Sequence, residues 1–111
     1  LEAYHYRGIV RYGMKDLDGA LADYNKAISL GLKSSAVYFN RGVIFHQKGQ
    51  LSDAIESYSR SIEIDPSNAR AYYNRAISKL IVDNYKEALQ DLEISKRLGY
   101  SKAAEVISQY Y

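Results

Sequence analysis

The sequence repeats with a period of 34 residues. Aligning the chain with itself at this offset superimposes identical residues from three successive copies: Tyr4, Tyr38 and Tyr72; Arg7, Arg41 and Arg75; Ala20, Ala54 and Ala88. A fixed period of this size is typical of a solenoid, in which each unit buries its apolar face by stacking on its neighbours. The period divides a single domain, residues 1–111, into repeats 1–34, 35–68 and 69–102 and a remainder, 103–111.

Each repeat carries the pattern of two helices. Two sets of residues in the middle copy have the four-then-three spacing of one helix face: Tyr38, Gly42 and Phe45, then Ala54, Tyr58 and Ser61. A break at Gly49 and Gln50 separates the two sets, which predicts an antiparallel helix pair. Gly42 and Ala54 are small enough to let these helices approach closely, while the rings fill the space beside them.

Residues that begin and end helices lie at the boundaries of these patterns. Gly31 and Gly49 suit the left-handed backbone conformation just past a helix end, and Pro66 follows the second helix of the middle copy. Asp16 and Asn84 are predicted to cap the helices that follow them.

The remainder predicts one more helix. Ser101 is a candidate N-cap, and Ala104, Ile107 and Tyr111 have the spacing of an amphipathic helix that would cover the third repeat. Two interpretations stay open, because this segment suits either a capping helix or the first helix of an incomplete fourth repeat.

The middle copy resembles a known repeat family. The order Tyr-x2-Arg-Gly-x2-Phe, Ala-x3-Tyr-x2-Ser and Pro, from Tyr38 to Pro66, is similar to the tetratricopeptide repeat, and residues 1–102 follow it. The resemblance implies an all-α fold, a right-handed superhelical solenoid of antiparallel helix pairs with three repeats and a capping helix. Arg11 and Lys79 depart from the family pattern, because they replace its second aromatic residue in the outer copies.

Composition and charge exclude several functions. The chain has no cysteine, and its two histidines are far apart, so we expect no metal site and no cofactor. Fifteen basic and thirteen acidic residues give a net charge of +2, which argues against a nucleic-acid partner. No apolar run approaches the roughly 20 residues of a membrane span. No nucleophile with a neighbouring base and no phosphate-binding loop occurs, so we expect no enzyme.

The composition and the first residue of the chain indicate what kind of protein it comes from. With 47% hydrophobic and 25% charged residues, it is predicted to be a soluble domain. Because it starts at Leu1 and carries no leader, we expect a fragment of a longer protein. The compartment remains unknown, with the cytoplasm slightly favoured, since the lack of cysteine fits the cytosol and the exterior alike.

The family resemblance implies a concave groove lined by the first helix of each repeat. The positions that would face it include His5, Tyr6, Ile9 and Tyr12; Phe39, Asn40, Val43 and His46; and Arg70, Tyr73, Asn74 and Ile77. We expect Tyr6, Phe39 and Tyr73 to be exposed as part of an apolar patch that binds a partner. The alternative is that these rings pack against neighbouring helices.

Asn40 and Asn74 occupy equal positions in successive repeats. An amide side chain matches the donor and acceptor of an extended peptide backbone, so two of them would bind a partner independently of its sequence. Asparagine here resembles the peptide-binding members of the family, although Tyr6 interrupts the series in the first copy. Each residue alone is also compatible with a surface asparagine bonded to water.

One subfamily binds the terminal carboxylate of heat-shock chaperones through five polar residues. The corresponding residues here are His5, Ile9, Asn40, Arg70 and Asn74. Only Asn40 matches, and Arg70 preserves a charge, while Ile9 removes a polar contact. A receptor for chaperone tails is therefore disfavoured.

The repeated arginines allow two interpretations. They could form a ladder that binds anions, but Asp23 and Asp91 lie where a second helix would bring them to Arg7 and Arg75. We expect structural pairing. Arg41 lacks such an aspartate and would turn to Glu56 or to a ligand.

We therefore predict a protein–protein interaction module that binds a peptide segment of a partner protein in its groove. The first alternative is self-association as a homo-oligomer, or docking onto another part of a longer chain, through the aromatic surface. The second is a regulatory or substrate-recognition arm of a larger enzyme.

Overall fold

A computed structural model describes all residues from 1 to 111. It contains seven α-helices and no strand: α1 (Glu2–Gly13), α2 (Leu17–Ser29), α3 (Ser35–Gln47), α4 (Leu51–Ile64), α5 (Ala69–Ile81), α6 (Tyr85–Arg97) and α7 (Ser101–Tyr110). The molecule is elongated, with extents of 41 × 25 × 20 Å. None of the helices combines the length and the apolar character needed to cross a membrane.

Consecutive helices pack as antiparallel pairs that stack on one another. The pairs are α1 with α2, α3 with α4, and α5 with α6. The first helix of each later pair also packs on the second helix of the pair before it, and α7 packs on α6. Because each helix contacts mainly its own pair and the adjacent pair, the fold is a helical solenoid.

The predicted helix ends are mostly confirmed. Gly31 and Gly49 have φ angles of 100° and 76°, and α4 ends two residues before Pro66. The Asp16 carboxylate accepts a hydrogen bond from the Gly19 amide at 3.0 Å. The prediction for Asn84 is wrong, since this residue precedes α6 but its side chain donates to Glu87 and makes no capping bond.

The last helix begins earlier than the repeat period suggests. It starts at Ser101, so Tyr100 takes the N-cap position and Ser101 is not the cap. The loop before it spans only 98–100, compared with 65–68 between α4 and α5. Ala103 is fully buried in a core cluster that also contains Leu92, and Val106 and Ile107 pack against this cluster.

Small residues on the first helices face large side chains on the second helices. A Cβ atom at Gly42 would lie 2.6 Å from a ring carbon of Tyr58, and one at Gly8 would lie 2.7 Å from the ring of Tyr24. Both tyrosine rings are buried. At Gly42 the helices approach closely, as expected, because the Tyr58 ring packs directly against the helix backbone. The Tyr24 ring makes the same contact at Gly8 in the first pair.

Buried aspartates pair with the repeated arginines in the outer pairs. Asp23 accepts hydrogen bonds from Arg7 at 2.8 and 3.0 Å. Asp91 accepts from Arg75 at 2.7 and 2.8 Å, and the Lys79 ammonium lies 2.9 Å from it. The predicted pairing is confirmed for both arginines.

The middle pair replaces this arrangement. Arg41 donates to the Ser57 hydroxyl at 3.0 Å and lies 3.5 Å from Glu56, as one of the two alternatives predicted. The guanidinium also lies over the ring of Tyr38, at 5.0 Å from its centroid, and near the ring of Phe45. The arginine–tyrosine contact occurs in all three repeats, so only the contact with Phe45 is specific to the middle pair.

The Arg7–Asp23 pair makes the stability depend on pH. The hydrogen bond from Arg7, opposed by burial, lowers the pKa of Asp23 below its usual value. A lowered pKa means that the pair stabilises the fold fully above about pH 4, and that this stabilisation is lost as the pH falls through the folded-state pKa. We expect the difference in unfolding free energy between the wild type and Asp23→Asn to shrink below about pH 4. Urea denaturation at a series of pH values measures it.

A second acidic group provides the control for this measurement. Hydrogen bonds from Ser67 also lower the pKa of Asp65, so the wild type loses stability in acid from this source too. Asp65 is present in both proteins, and its contribution cancels in the difference. Two curves that stay parallel down to acid pH would contradict the prediction.

Candidate functional site

Five of the predicted groove residues lie together between α3 and α5. They surround a cavity of about 250 Å³ together with Gln47 and Tyr58: Val43, His46, Tyr73, Asn74 and Ile77. His46 is held in place, since its Nδ1 lies 3.3 Å from the Ser78 hydroxyl. The lining contains no carboxylate, ammonium or guanidinium group, so this cavity suits an uncharged side chain.

A larger apolar cleft lies between α5 and α7. It has a volume of about 850 Å³, and its lining is aromatic and aliphatic apart from one amide: Tyr73, Ile77, Leu80, Ile81, Tyr85, Val106, Gln109, Tyr110 and Tyr111. The Tyr111 hydroxyl donates to the Tyr85 carbonyl at 2.8 Å, which fixes the end of the chain beside the cleft. Tyr73 and Ile77 also line the first cavity, so one wall separates two adjacent apolar spaces.

The sequence analysis missed the contribution of α7 to this cleft. The signal was present, because Tyr110 and Tyr111 end an otherwise polar helix surface. The family-derived positions covered only the first helices of the three repeats, and α7 fell outside them.

A polar pocket lies at the opposite end of the groove between α3 and α5. It has a volume of about 550 Å³ and includes the starts of both helices: Ser34, Ser35, Ala36, Phe39, Asn40, Asp65, Asn68 and Arg70. The Arg70 guanidinium lies 5.4 Å from the centroid of the Phe39 ring. The groove thus changes from polar to apolar along the length of α3 and α5.

The exposure expected of two rings is wrong. Phe39 and Tyr73 are half-buried, because the centroid of Phe39 is 5.7 Å from that of Tyr58 and the centroid of Tyr73 is 5.0 Å from that of Tyr100. Packing against neighbouring helices, the alternative interpretation, is correct for both. Tyr6 is exposed, as predicted.

The two asparagines contact the tyrosines of the preceding repeat. The Asn40 amide interacts with the hydroxyl of Tyr24, and that of Asn74 with the hydroxyl of Tyr58. Burial raises the pKa of Tyr58 to about 12, and the contact with Asn74 opposes this rise. Both asparagines are half-buried and help to join one repeat to the next, while they still line the groove.

The four predicted residues of α1 do not join these pockets. His5 stacks on Tyr6 with centroids 5.5 Å apart, and its Nε2 atom is buried without a partner. The Tyr12 hydroxyl accepts a hydrogen bond from Gln47 at 2.8 Å, which links α1 to α3. Ile9 is exposed beside them.

No group of three or more histidine, aspartate or glutamate side chains is arranged to hold a metal ion. The fold and the groove define a helical-repeat solenoid in which α3, α5 and α7 line the groove.

Comparisons with known proteins give the repeat type. A family model described as TPR repeat matches residues 42–79. Seven helices fit three such repeats followed by one further helix, so the prediction of a tetratricopeptide-repeat fold is confirmed. No curated protein matches the chain at a significant level.

Solved structures agree with this fold. The Arabidopsis OM64 TPR domain is 27% identical to this chain, with a TM-score of 0.88 over 97% of this chain and 90% of that one. The first TPR of Spaghetti (RPAP3), bound to the HSP90 peptide SRMEEVD, is 16% identical, with the same TM-score over 96% of this chain and 86% of that one. MamA is 24% identical, with a TM-score of 0.85 over 93% of this chain and 60% of that one.

Proposed function

We propose that this chain is a protein–protein interaction module that binds a segment of a partner protein in the groove lined by α3, α5 and α7. The observation that carries the proposal is the pair of adjacent apolar spaces that share Tyr73 and Ile77 as a wall. Two such spaces take two apolar side chains of one bound segment.

The spacing of the helices determines which segments fit. Packed helices lie about 8–10 Å apart, so side chains in spaces on either side of α5 are separated by about the same distance. An extended chain covers this distance in about three residues. The ligand is therefore an extended segment with two uncharged, bulky apolar residues about three positions apart. The amides of Asn74 and Gln47 line the first cavity, and the donor and acceptor positions that their tyrosine partners leave unused can bind its backbone.

Charge adds a preference at the polar end. Arg70 is exposed there, and the third repeat has the highest net charge, with seven basic and four acidic residues, which favours an acidic residue in the ligand near α5. The HSP90 peptide bound by the first TPR of Spaghetti is itself acidic. Ile9 and Asn74 replace polar or charged groups that the chaperone-tail subfamily uses, so internal segments are favoured over free acidic tails.

The groove is tested with Ile77→Asp, which places a charge in the shared wall. Burying an unpaired carboxylate in an apolar contact is unfavourable, so we expect the affinity for a peptide selected from an array to fall at least about tenfold. Fluorescence anisotropy with a labelled peptide measures the Kd. Ile64→Asp on α4 is the matched control, because Ile64 is exposed outside the groove and the same substitution should leave the Kd unchanged.

Three results separate this function from its alternatives. Thermal melts are needed to check that both variants remain folded, and an equal loss of binding in both would contradict binding in the groove. If the protein binds peptides with a free acidic C-terminus more tightly than the same peptides with an amidated C-terminus, it is a receptor for terminal carboxylates. The mass of the free protein at two concentrations tests for a dimer. If a dimer forms without peptide and Ile77→Asp dissociates it, the function is self-association and not peptide binding.

A further inference from the structure

Three exposed aliphatic side chains form a row along one edge of the solenoid. Leu30, Ile64 and Leu98 are separated by one repeat each and lie where α2, α4 and α6 end. They are 47%, 42% and 43% exposed. The middle member, Ile64, has a complete repeat on either side of it, so its exposure belongs to the repeat itself.

Unpaired basic side chains are concentrated beside this row. Seven of the fifteen lysines and arginines form ion pairs within the chain: Arg7, Arg11, Arg41, Lys48, Arg60, Arg75 and Lys79. Of the others, Arg70 lies at the polar end of the groove, and Lys15 and Lys86 lie at the opposite ends of the helices. The remaining five are all exposed and lie within four residues of Leu30 or Leu98: Lys26, Lys33, Lys96, Arg97 and Lys102.

The charge along the edge changes in its middle. Within four residues of Leu30 and of Leu98, every charged side chain is basic. The same window around Ile64 has a net charge of −1, because it holds Arg60, Glu63 and Asp65. Arg60 is 3.7 Å from the Glu63 carboxylate, so the middle of the edge offers no free cation. The edge is therefore basic at both ends only.

We propose that this edge binds an amphipathic α-helix of a partner protein that has acidic residues near both of its ends. Three helix pairs and α7 share a length of 41 Å, and packed helices lie about 8–10 Å apart, so neighbouring members of the row are separated by about 10 Å. An α-helix rises about 10.5 Å in seven residues, so apolar residues seven positions apart meet all three members. Carboxylates beside the first and last of these residues would pair with the free cations. The edge lies outside the groove, so the inference is independent of the proposed function.

Shape and charge favour a helix over a lipid surface. The three aliphatic side chains are more than half buried, so they project too little to enter a bilayer, and the carboxylates of Glu63 and Asp65 would be repelled by anionic headgroups. A hollow of about 340 Å³ beside Ile64 can instead receive a side chain of a bound helix. It is lined by Lys33, Tyr38, Arg60, Glu63 and Ile64.

A second copy of the chain does not supply the acidic groups. Two copies of this edge would bring like charges together. At the opposite ends of the helices, most carboxylates are already engaged within the chain: Asp16 by the Gly19 amide, Asp18 by Lys48, Asp83 by Tyr85 and Glu87 by Asn84. The required pattern of acidic and apolar residues therefore comes from a different polypeptide.

The probe for this edge is a synthetic, fluorescently labelled helix of about 21 residues. It carries three leucines seven positions apart, glutamates within one turn of the first and third leucines, and alanine and glutamine elsewhere. We expect fluorescence anisotropy at low salt to show binding, and Ile64→Asp to weaken it at least about tenfold. Val82→Asp is the matched control, because Val82 is 47% exposed at the opposite ends of the helices, and it should leave the Kd unchanged.

Charge reversal tests the acidic contacts without changing an apolar one. Lys33→Glu combined with Lys96→Glu should weaken binding of the probe at least about tenfold at low salt. Lys15→Glu combined with Lys86→Glu changes the net charge of the protein equally, but at the opposite ends of the helices, and should weaken binding by less than about twofold. All four lysines are exposed, so neither double variant disturbs the core.

Several outcomes would overturn the inference. They are no binding up to about 1 mM probe, equal weakening by Ile64→Asp and Val82→Asp, equal weakening by the two double lysine variants, or unchanged affinity for a probe whose leucines are moved to different faces of the helix. Weakening by Ile77→Asp but not by Ile64→Asp would place the probe in the groove. If the protein sediments with phosphatidylserine vesicles and Ile64→Asp does not, the edge binds lipid, and a dimer that Ile64→Asp dissociates would assign it to a second copy.

Discussion

Asp91→Asn should lower the unfolding free energy by about 3 kcal/mol, the largest effect of any single polar substitution in this chain. Asp91 is only 3% exposed and accepts hydrogen bonds from Arg75 while it contacts Lys79. An amide keeps the shape of the carboxylate but leaves two largely buried cations without a counter-charge. Urea denaturation followed by circular dichroism measures the change.

Asp18→Asn is the control for this prediction. The side chain of Asp18 is 84% exposed and pairs with Lys48 at the surface, so its loss should change the unfolding free energy by less than about 1 kcal/mol. Equal effects of the two substitutions would mean that burial does not set the strength of the ion pairs.

The middle repeat differs from the outer repeats in the charged residues at these positions. The outer repeats combine two cations with one aspartate: Arg7, Arg11 and Asp23; and Arg75, Lys79 and Asp91. The middle repeat has Arg41, Phe45 and Ser57 at these positions, so an anion and a cation are absent together and each set carries a charge of +1. Coupled replacement preserves the charge of each set, which explains why Arg41 tolerates the lack of a buried aspartate.

Gly42→Ala should lower the unfolding free energy by about 2–3 kcal/mol, although alanine is the better helix former. The new methyl group would lie 2.6 Å from the ring of Tyr58, which is buried and cannot move aside without disturbing the core. The helices would have to separate. Chemical denaturation of the variant measures the loss.

Gly13→Ala is the matched control, because nothing lies within 4 Å of the added methyl group. It should leave the stability unchanged or raise it by up to about 1 kcal/mol. The third repeat supplies a compensating change, since Ala76 faces Leu92 at the equivalent positions. Gly42→Ala combined with Tyr58→Leu should therefore cost less than the sum of the two single substitutions. Strict additivity would contradict direct contact as the cause.

Much of the fold follows from local spacing. The pairing of Arg7 with Asp23 was predictable because helix periodicity and the 34-residue repeat fix both positions on facing helices. The positive φ angles at Gly31 and Gly49 were predictable for a similar reason, since each glycine ends a periodic segment. These features depend on residues within one repeat.

Features that depend on the distance between helices were harder to predict. The burial of Phe39 and Tyr73 results from Tyr58 and Tyr100, which lie in the same repeats but outside the first helices, at distances that the spacing does not give. The contacts of Asn40 and Asn74 with tyrosines also cross a repeat boundary. The helix α7 starts before residue 103, because α6 ends one residue earlier in its repeat than α4 does and the loop after α6 is one residue shorter.

For the proposed ligand, the wall formed by Tyr73 and Ile77 should couple binding in one apolar space to binding in the other. A side chain that fills one space restricts the rotamers of the wall and so removes part of the entropy cost of filling the other. By linkage, this coupling is reciprocal, so each anchor of a bound segment strengthens the binding of the second by the same factor. Adding the second apolar anchor to a ligand should therefore increase its affinity by more than the contact area of that anchor predicts.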